Sequence, residues 1–483
     1  MLFLLVVLIA FLQTISSYNT NTTISSKFDK EWTRVSGTTS HDFGLGIAID
    51  STSSVYITGR VGWFNTVFDG NNNLGYYDMY IMKYTADGTK AWTKLKGTWR
   101  EDASSAIAVD RNGNIYIAGK TYTGDWSMFF AKYSSDGSTT LWSQTITVAS
   151  DASGIAFDKD DNVYVTGCIF GSVNGQSYAG DGDIIIIKYS SSGTLLWTRL
   201  VGSSGNDAGV GIAVDSTGNI YVTGKVSGSI DGQTHVGGTD IIIMKYSTDG
   251  ARLWTKIIGS TGNDYGSDIT LDNDGNAYLT GTITGSVDGE TYAGGTDIII
   301  MKYSSAGTKQ WTRLKGSAGD DAGQGIEFDG VGSVYITGTT SGTLDGEPYG
   351  GGLDIFLLKY ASDGMHLATK VTGTTADEYG CDLAVNDDRI YVTGYFTGTS
   401  LDGLSNAGEF DIFVMKFKSY ELSKAPTPEP TTLTQPSQTP TLISSSTTTN
   451  PKHKPKRRPT PKPTRKRYIY RTHSPSKKPT KSS

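Results

Sequence analysis

Cysteine is scarce in this chain of 483 residues, with Cys168 and Cys381 the two that occur. A secreted fold held by disulfides carries more, so packing must close this one. Histidine is scarce as well, and the five (His41, His235, His366, His453 and His473) share no register. No G-x-S-x-G, H-E-x-x-H or P-loop pattern occurs, which removes the common signatures of serine hydrolases, zinc proteases and nucleotide hydrolases. Long apolar runs are missing apart from residues 2–12. About 11 residues are too few to span a bilayer as a helix. With small residues following at Ser16 and Ser17, the run predicts a signal peptide over 1–17, although no Lys or Arg precedes it. The expected location is therefore extracellular or at the cell surface, with an uncleaved anchor as the alternative.

What is present is glycine and tyrosine, at 60 and 27 residues, in a chain 37% hydrophobic and 19% charged. That composition favours short strands and tight turns. Internal repetition then organises the chain. Trp32, Trp92, Trp142, Trp197, Trp254 and Trp311 recur at intervals of 60, 50, 55, 57 and 57 residues, and Ala368 holds the next register. A Lys-aromatic pair recurs independently at Lys83, Lys132, Lys188, Lys245, Lys302, Lys359 and Lys416. Both markers give seven. Within one repeat, residues 211–215, 219–224, 240–246 and 252–259 read as four strands separated by turns. The third, DIIIMKY, is apolar enough for burial on both faces. Four strands in 50 to 60 residues, repeated, predict propeller blades that bury their faces on each other.

The pattern D-x-x-G-N-x-Y-x-T-G, then G-G-x-D-x-x-x-x-K-Y, a D-G turn and W-T, resembles the bacterial-type β-propeller repeat family SBBP. The likeness runs from Trp32 to Phe417; the second blade is short with Ser127 in place of Asp, and the seventh repeat lacks its Trp. The resemblance implies a surface or secreted protein and little defined chemistry. The expected fold is all-β: a seven-bladed β-propeller of four antiparallel strands per blade over 31–420, preceded by an extension over 18–30. The residue 211–215 strand is expected to line the axis and the Trp strand to form the rim. The chain then starts on a rim strand, 31–37, and ends on a third strand, 411–417. The first strand should complete the last blade, removing two free edges.

Beyond residue 420 the composition changes. Residues 421–450 form a Pro, Thr and Ser-rich linker, plain or O-glycosylated, and 451–483 carry thirteen Lys and Arg with no acid. Removing the tail's +13 and the linker's −1 from the chain's −6 leaves −18 on residues 1–420. The basic residues include Lys452, Lys454, Lys456, Arg457, Arg458, Arg465, Lys466 and Arg467, with Tyr468 and Tyr470 interleaved. Such an arm attracts polyanions, and outside a cell an anionic polysaccharide or surface polymer is a better match than nucleic acid. It could equally dock on the acidic body.

Recurrent acids supply the candidate sites. Asp42, Asp102, Asp151, Asp207, Asp264, Asp321 and Glu378 stand just before the inner strand of each repeat. They read either as a negative ring at a channel mouth or as local turn caps, the recurrence favouring caps. Asp78, Asp183, Asp240, Asp297, Asp354 and Asp411 open the third strand, five residues before the Lys, on opposite strand faces, and read as structural. The turns at 158–162 and 272–276 resemble the start of a calcium loop but lack its bidentate Glu, so calcium is the one cofactor left open and no metal site is assigned. Tyr178, His235, Tyr292 and Tyr349 share one register on the long loops and could form a carbohydrate platform, or simply pack those loops. The cysteines are placed on well-separated blades, so no bond between them is expected.

These features predict a monomeric, non-enzymatic extracellular binding or adhesion scaffold, whose top-face loops take a glycan or protein and whose tail holds an anionic surface. A carbohydrate-active hydrolase or lyase using top-face carboxylates is the alternative, and a structural matrix or wall component a third. A single irregular blade bearing unrepeated polar residues at the channel mouth would favour the enzyme, and seven near-equal blades favour a scaffold.

Overall fold

The computed structural model describes residues 26–64 and 66–421. The expected signal peptide, the linker past its first residue and the basic tail lie outside the described residues. Among the described residues every regular element is a strand. The repeating unit is a four-stranded antiparallel sheet, illustrated by Ala208–Val214, Ile220–Val226, Asp240–Tyr246 and Arg252–Ile258 in that spatial order. The third strand explains its composition: Ile241, Ile242, Ile243 and Met244 are fully buried, because sheets pack on both of its faces. The inner strands touch their neighbours in chain order, and the last, Glu378–Asn386, touches the first, Phe43–Ile49. The chain is thus a closed β-propeller.

The glycine that follows Thr in the second strand, or Ala118 in one repeat, has a steric cause. A Cβ at Gly59, Gly119, Gly167, Gly224, Gly281, Gly338 or Gly394 would collide with a backbone carbonyl of the inner strand, where that strand bulges. Its Thr-Gly signature is therefore a packing requirement.

The two termini meet in one sheet. Ser26–Ser36 pairs antiparallel with Asp411–Glu421, giving the order Ser26–Ser36, Asp411–Glu421, Arg389–Phe396, Glu378–Asn386. The first strand begins five residues earlier than the sequence suggests, within the expected extension. Phe28 draws it in, being 5% exposed and set edge-on to Tyr335 at 6.1 Å. Trp32 thereby serves the last sheet, and Ala368, buried in His366–Thr372, is the missing tryptophan of the sheet before it.

One junction departs from the repeat. Thr140–Phe157 runs unbroken for 18 residues, as outer strand of one sheet and inner strand of the next, joining the two into a seven-stranded sheet. The Gly-rich loop that separates these strands elsewhere is replaced there by TITVASDAS, which has no glycine to turn on.

From the third repeat on, the recurrent lysine, which sits across from the recurrent tryptophan (Lys188 opposite Trp197, Lys245 opposite Trp254), ties sheet to sheet, whereas Lys83 and Lys132 pair with Asp50 and Asp110 of their own sheets. Lys188 Nζ and Trp197 Nε1 both donate to the Thr248 carbonyl in the next sheet, each at 3.1 Å. Lys245 and Trp254 do the same to Ser305 at 3.0 and 3.3 Å, and Lys302 and Trp311 to Ser362 at 3.0 and 3.2 Å. Lys416 of the last sheet reaches Ala86 of the first at 3.0 Å, across the closure. Each ammonium lies over a buried tyrosine ring, as Lys245 over Tyr221 at 4.6 Å. Breaking a buried ion pair from one side leaves the other charge stranded. Lys245→Met strands Asp215, which lies 3.6 Å from the ammonium. The substitution is expected to lower unfolding stability by about 3 kcal/mol in urea titration, and a loss below about 0.5 kcal/mol would show the clamp to be dispensable.

Candidate functional site

The structure puts most of the recurrent acids under the loops. Asp42, Asp102, Asp207, Asp264, Asp321 and Glu378 are all 0% exposed. Asp42 accepts from the backbone N–H of Thr38 at 2.5 Å and of Gly62 at 2.7 Å, and Asp207 from that of Ser227 at 2.8 Å. Glu378 accepts from Thr374 N at 2.7 Å. These buried carboxylates cap their own turns, and Asp42, Asp207 and Asp264 also reach the loop beside them; they do not form an exposed ring at a channel mouth. Asp151 differs: it lies inside the continuous strand, half-exposed, 3.5 Å from Lys120.

The second set of acids faces the first. Asp78, Asp183, Asp240, Asp297, Asp354 and Asp411 each accept from the backbone N–H four residues upstream, as Asp240 from Val236 at 2.7 Å. Their other oxygen, Oδ1, is buried without a hydrogen-bond partner and turns toward the glycine that ends the outer strand. Beyond that glycine stands the acid of the first set, as Asp264 behind Gly259 opposite Asp240. Burial first, then the neighbouring carboxylate, raises the pKa of Asp78 and of Asp411 to about 6. The lysine five residues on pairs elsewhere, with an acid of the inner hairpin turn: Lys188 with Asp158 at 3.7 Å and Lys302 with Asp272 at 3.5 Å.

Those turn acids head the calcium-like segments, and they are already engaged. Asp158 accepts from Asp160 N and Asn162 N, from Asn162 Nδ2 and from the Tyr164 hydroxyl, all at 2.9 to 3.0 Å. Asp272 is bound in the same way. Burial pushes both carboxyls up, but the hydrogen bonds outweigh it and hold them below the ordinary value. The residues present form hairpin caps and do not fit a calcium loop.

The loop register of Tyr178, His235, Tyr292 and Tyr349 is half-buried. Tyr349 Oη donates to Gly352 O at 2.5 Å, Tyr292 Oη donates to Gly295 O, and His235 Nε2 lies 3.2 Å from Gly238 O, so each ring closes its own loop. Both cysteines are free thiols and lie within strands, Val163–Ile169 and Glu378–Asn386.

Two unrepeated features emerge that the sequence reading did not single out. The first is the axial channel, about 970 Å³, lined by inner strands all round the ring. Three consecutive inner strands place Asp268, Glu327 and Asp382 there, where the others have Gly or Ala. Burial, then Asp268 and Asp382, raises the pKa of Glu327 to about 8, and burial pushes both aspartates up as well. Asp382 also braces the ring closure, accepting from Ile47 N at 2.9 Å.

The second is an exposed aromatic surface spanning the first two sheets. Trp63 and Phe64 follow Val55–Val61, Tyr76 and Tyr77 precede Asp78–Tyr84, and Trp99 follows Lys90–Lys96. Trp63 is 47% exposed and Trp99 64%. Trp63 meets Tyr76 edge-on at 5.1 Å, Phe64 meets Tyr76 at 4.4 Å, and Tyr76 N donates to Arg100 O at 3.2 Å, stitching the two sheets. The signal was legible as the loop GWFNTVFDGNNNLGYYD, which breaks the GSxDGxxYxGG form of its counterparts.

Comparison with known proteins bears on the fold. A family model described as the SBBP β-propeller repeat matches residues 92–125, 196–229, 253–287 and 310–344. The regulatory protein FlaEY of Caulobacter vibrioides is 25% identical over 206 residues, 38% of this chain and 22% of that protein. An uncharacterized WD repeat-containing protein, L264, of Acanthamoeba polyphaga mimivirus is 26% identical over 283 residues, 45% of this chain and 20% of that protein. The chain thus spans about a fifth of the length of the curated relatives it matches. Among solved structures, Kuenenia stuttgartiensis hydrazine synthase superposes with a TM-score of 0.45 at 12% identity, over 72% of this chain and 92% of that one. A europium-containing methanol dehydrogenase gives 0.44 at 9% identity, over 81% and 93%.

The buried acid pairs make a pH prediction. A carboxyl raised from 3.8 to about 6 binds its proton more tightly when folded, so its contribution to stability is lost as pH rises from about 4 to about 6 and stays lost above. Asp411→Asn removes that penalty. The variant is expected to exceed the parent by on the order of 2 kcal/mol at pH 7.5, with the gain fading by pH 4. A gain that does not change with pH would show that the pair is not the cause.

Proposed function

The chain is a β-propeller of the SBBP repeat family, and from that premise we propose that it is a secreted, non-enzymatic binding scaffold of seven blades, monomeric, with a surface ligand site and a basic tether. The exposed aromatic surface of the first two sheets carries this reading. A loop feature that recurs in every sheet serves the fold; four exposed aromatics that occur once serve something else, since contiguous apolar surface on a soluble protein marks an interaction site. The count of seven blades is supported by the seven recurrent lysines and by the inner strands, which follow one another round a closed ring. The apolar leader of residues 2–12 supports secretion, and the +13 tail supports adhesion to an anionic polysaccharide or wall polymer.

One observation favours a second reading, a hydrolase or lyase. Glu327, with a pKa of about 8, stays protonated at neutral pH beside two further carboxyls in a water-accessible channel, the disposition that general-acid chemistry uses. If the second reading holds, Glu327→Gln abolishes turnover while leaving the melting temperature unchanged.

A binding screen separates the parts. Full-length mature protein and a chain ending at residue 425, the limit of the compact unit, are assayed against polysaccharides at low and high salt. The tail is expected to add binding to acidic polymers that is lost at high salt. Equal binding by both forms would remove the tether from the reading.

A further inference from the structure

We infer that the aromatic surface is the binding site for a short anionic saccharide, an inference that rests on the scaffold reading above. An aromatic face presents an apolar plane, and a sugar ring offers the matching apolar face of its C–H bonds bordered by polar groups. Here the aromatic faces are interleaved with cations. The Arg100 guanidinium lies over Trp99 at 4.2 Å, and that of Arg60 over Tyr77 at 4.8 Å. In the counterparts of the Trp99-Arg100 pair the chain reads Ser204-Gly205, Thr261-Gly262, Ala318-Gly319 and Thr375-Ala376, so both the ring and the charge are peculiar to this place.

The charges have capacity to spare. Arg60 is held by Glu101 at 3.0 Å, but among the described residues Arg100 forms no ion pair, and the Nε–H groups of both arginines are buried without an acceptor. A guanidinium that no acid pairs, beside an exposed ring, fits a carboxylate or sulfate attached to a sugar stacked on that ring. The rest of residues 1–420 sets the size. A body of net charge −18 repels a long polyanion, so the favourable contact is confined to the few ångströms around Arg60 and Arg100, which one or two charged sugar rings fill. The loop rings His235, Tyr292 and Tyr349 are tied by hydrogen bonds to their own loops, whereas Trp63 and Trp99 stand 47% and 64% exposed.

Full-length protein at about 0.15 M salt, with the Debye length near 8 Å, is titrated by calorimetry with trigalacturonate, a sulfated disaccharide and neutral cellotriose. The variants Trp99→Ala and Arg100→Gln are made in the same chain, so the tail is common to all. The expected result is that at least one anionic ligand binds tighter than cellotriose. Trp99→Ala should then weaken it about tenfold or more, and Arg100→Gln should weaken the anionic ligand while leaving cellotriose unchanged. The uronate and sulfate arms decide which acid is preferred. Binding untouched by both substitutions overturns the inference, and so does equal affinity for the neutral sugar or no binding of any sugar. Each of these leaves the scaffold reading standing. Cleaved saccharide recovered from the cell would overturn the scaffold reading itself.

Discussion

The ammonium of the third-strand lysine is where the propeller is held together. It is the buried charge that the sheets share: it lies over a tyrosine of its own sheet, faces an aspartate of its own inner turn, and donates to a carbonyl of the next sheet. The tryptophan opposite donates to that same carbonyl. Hydrophobic burial alone would let sheets slide, since rows of Ile and Val are nearly interchangeable. A carbonyl with two donors fixes the register between neighbours, and a desolvated ammonium is costly unless all of its partners are in place. At the closure the lysine acts alone: Lys416 donates to Ala86 O while Trp32 Nε1 is buried without a partner.

That constraint explains why the sequence is so regular and why function must be sought in its breaks. The acids that looked most like a binding ring are, in six positions, fully buried loop pins, and the tyrosine register closes its own loops. Recurrence was evidence of folding demand. The unrepeated residues lie elsewhere: Asp268, Glu327 and Asp382 in the channel, and Trp63, Phe64, Tyr76 and Trp99 on the surface. None of these residues recurs in every repeat, although Asp268 and Asp382 each brace the next inner strand, accepting from Ile326 N at 3.0 Å and Ile47 N at 2.9 Å.

Strand number, strand order and the glycine and lysine signatures were legible in the sequence because each answers a local demand at a fixed spacing. Less visible was what depends on neighbouring sheets. The sign that Lys245 would pair with Asp215 instead of Asp240 lies in the pleat: odd spacing excludes the one, and only the fold brings up the other. The channel carboxylates hid behind conservative-looking changes, such as the Asp of GSDITL standing where GVGIAV has Gly. The unbroken strand of Thr140–Phe157 was hidden because a loop without glycine still matches the repeat length closely.

The buried carboxylate pairs and the exposed arginines are two sides of one charge distribution. Within a body of −18, Asp78 and Asp411, with pKa values near 6, ionise at neutral pH only at a cost to stability. Those sites therefore consume stability as pH rises and contribute nothing to recognition. Arg60 and Arg100 stand out against that field because Glu101 neutralises only the first. A small anion is drawn to this edge, where an exposed aromatic face stands beside a guanidinium that no acid neutralises, while the acidic body disfavours its binding elsewhere.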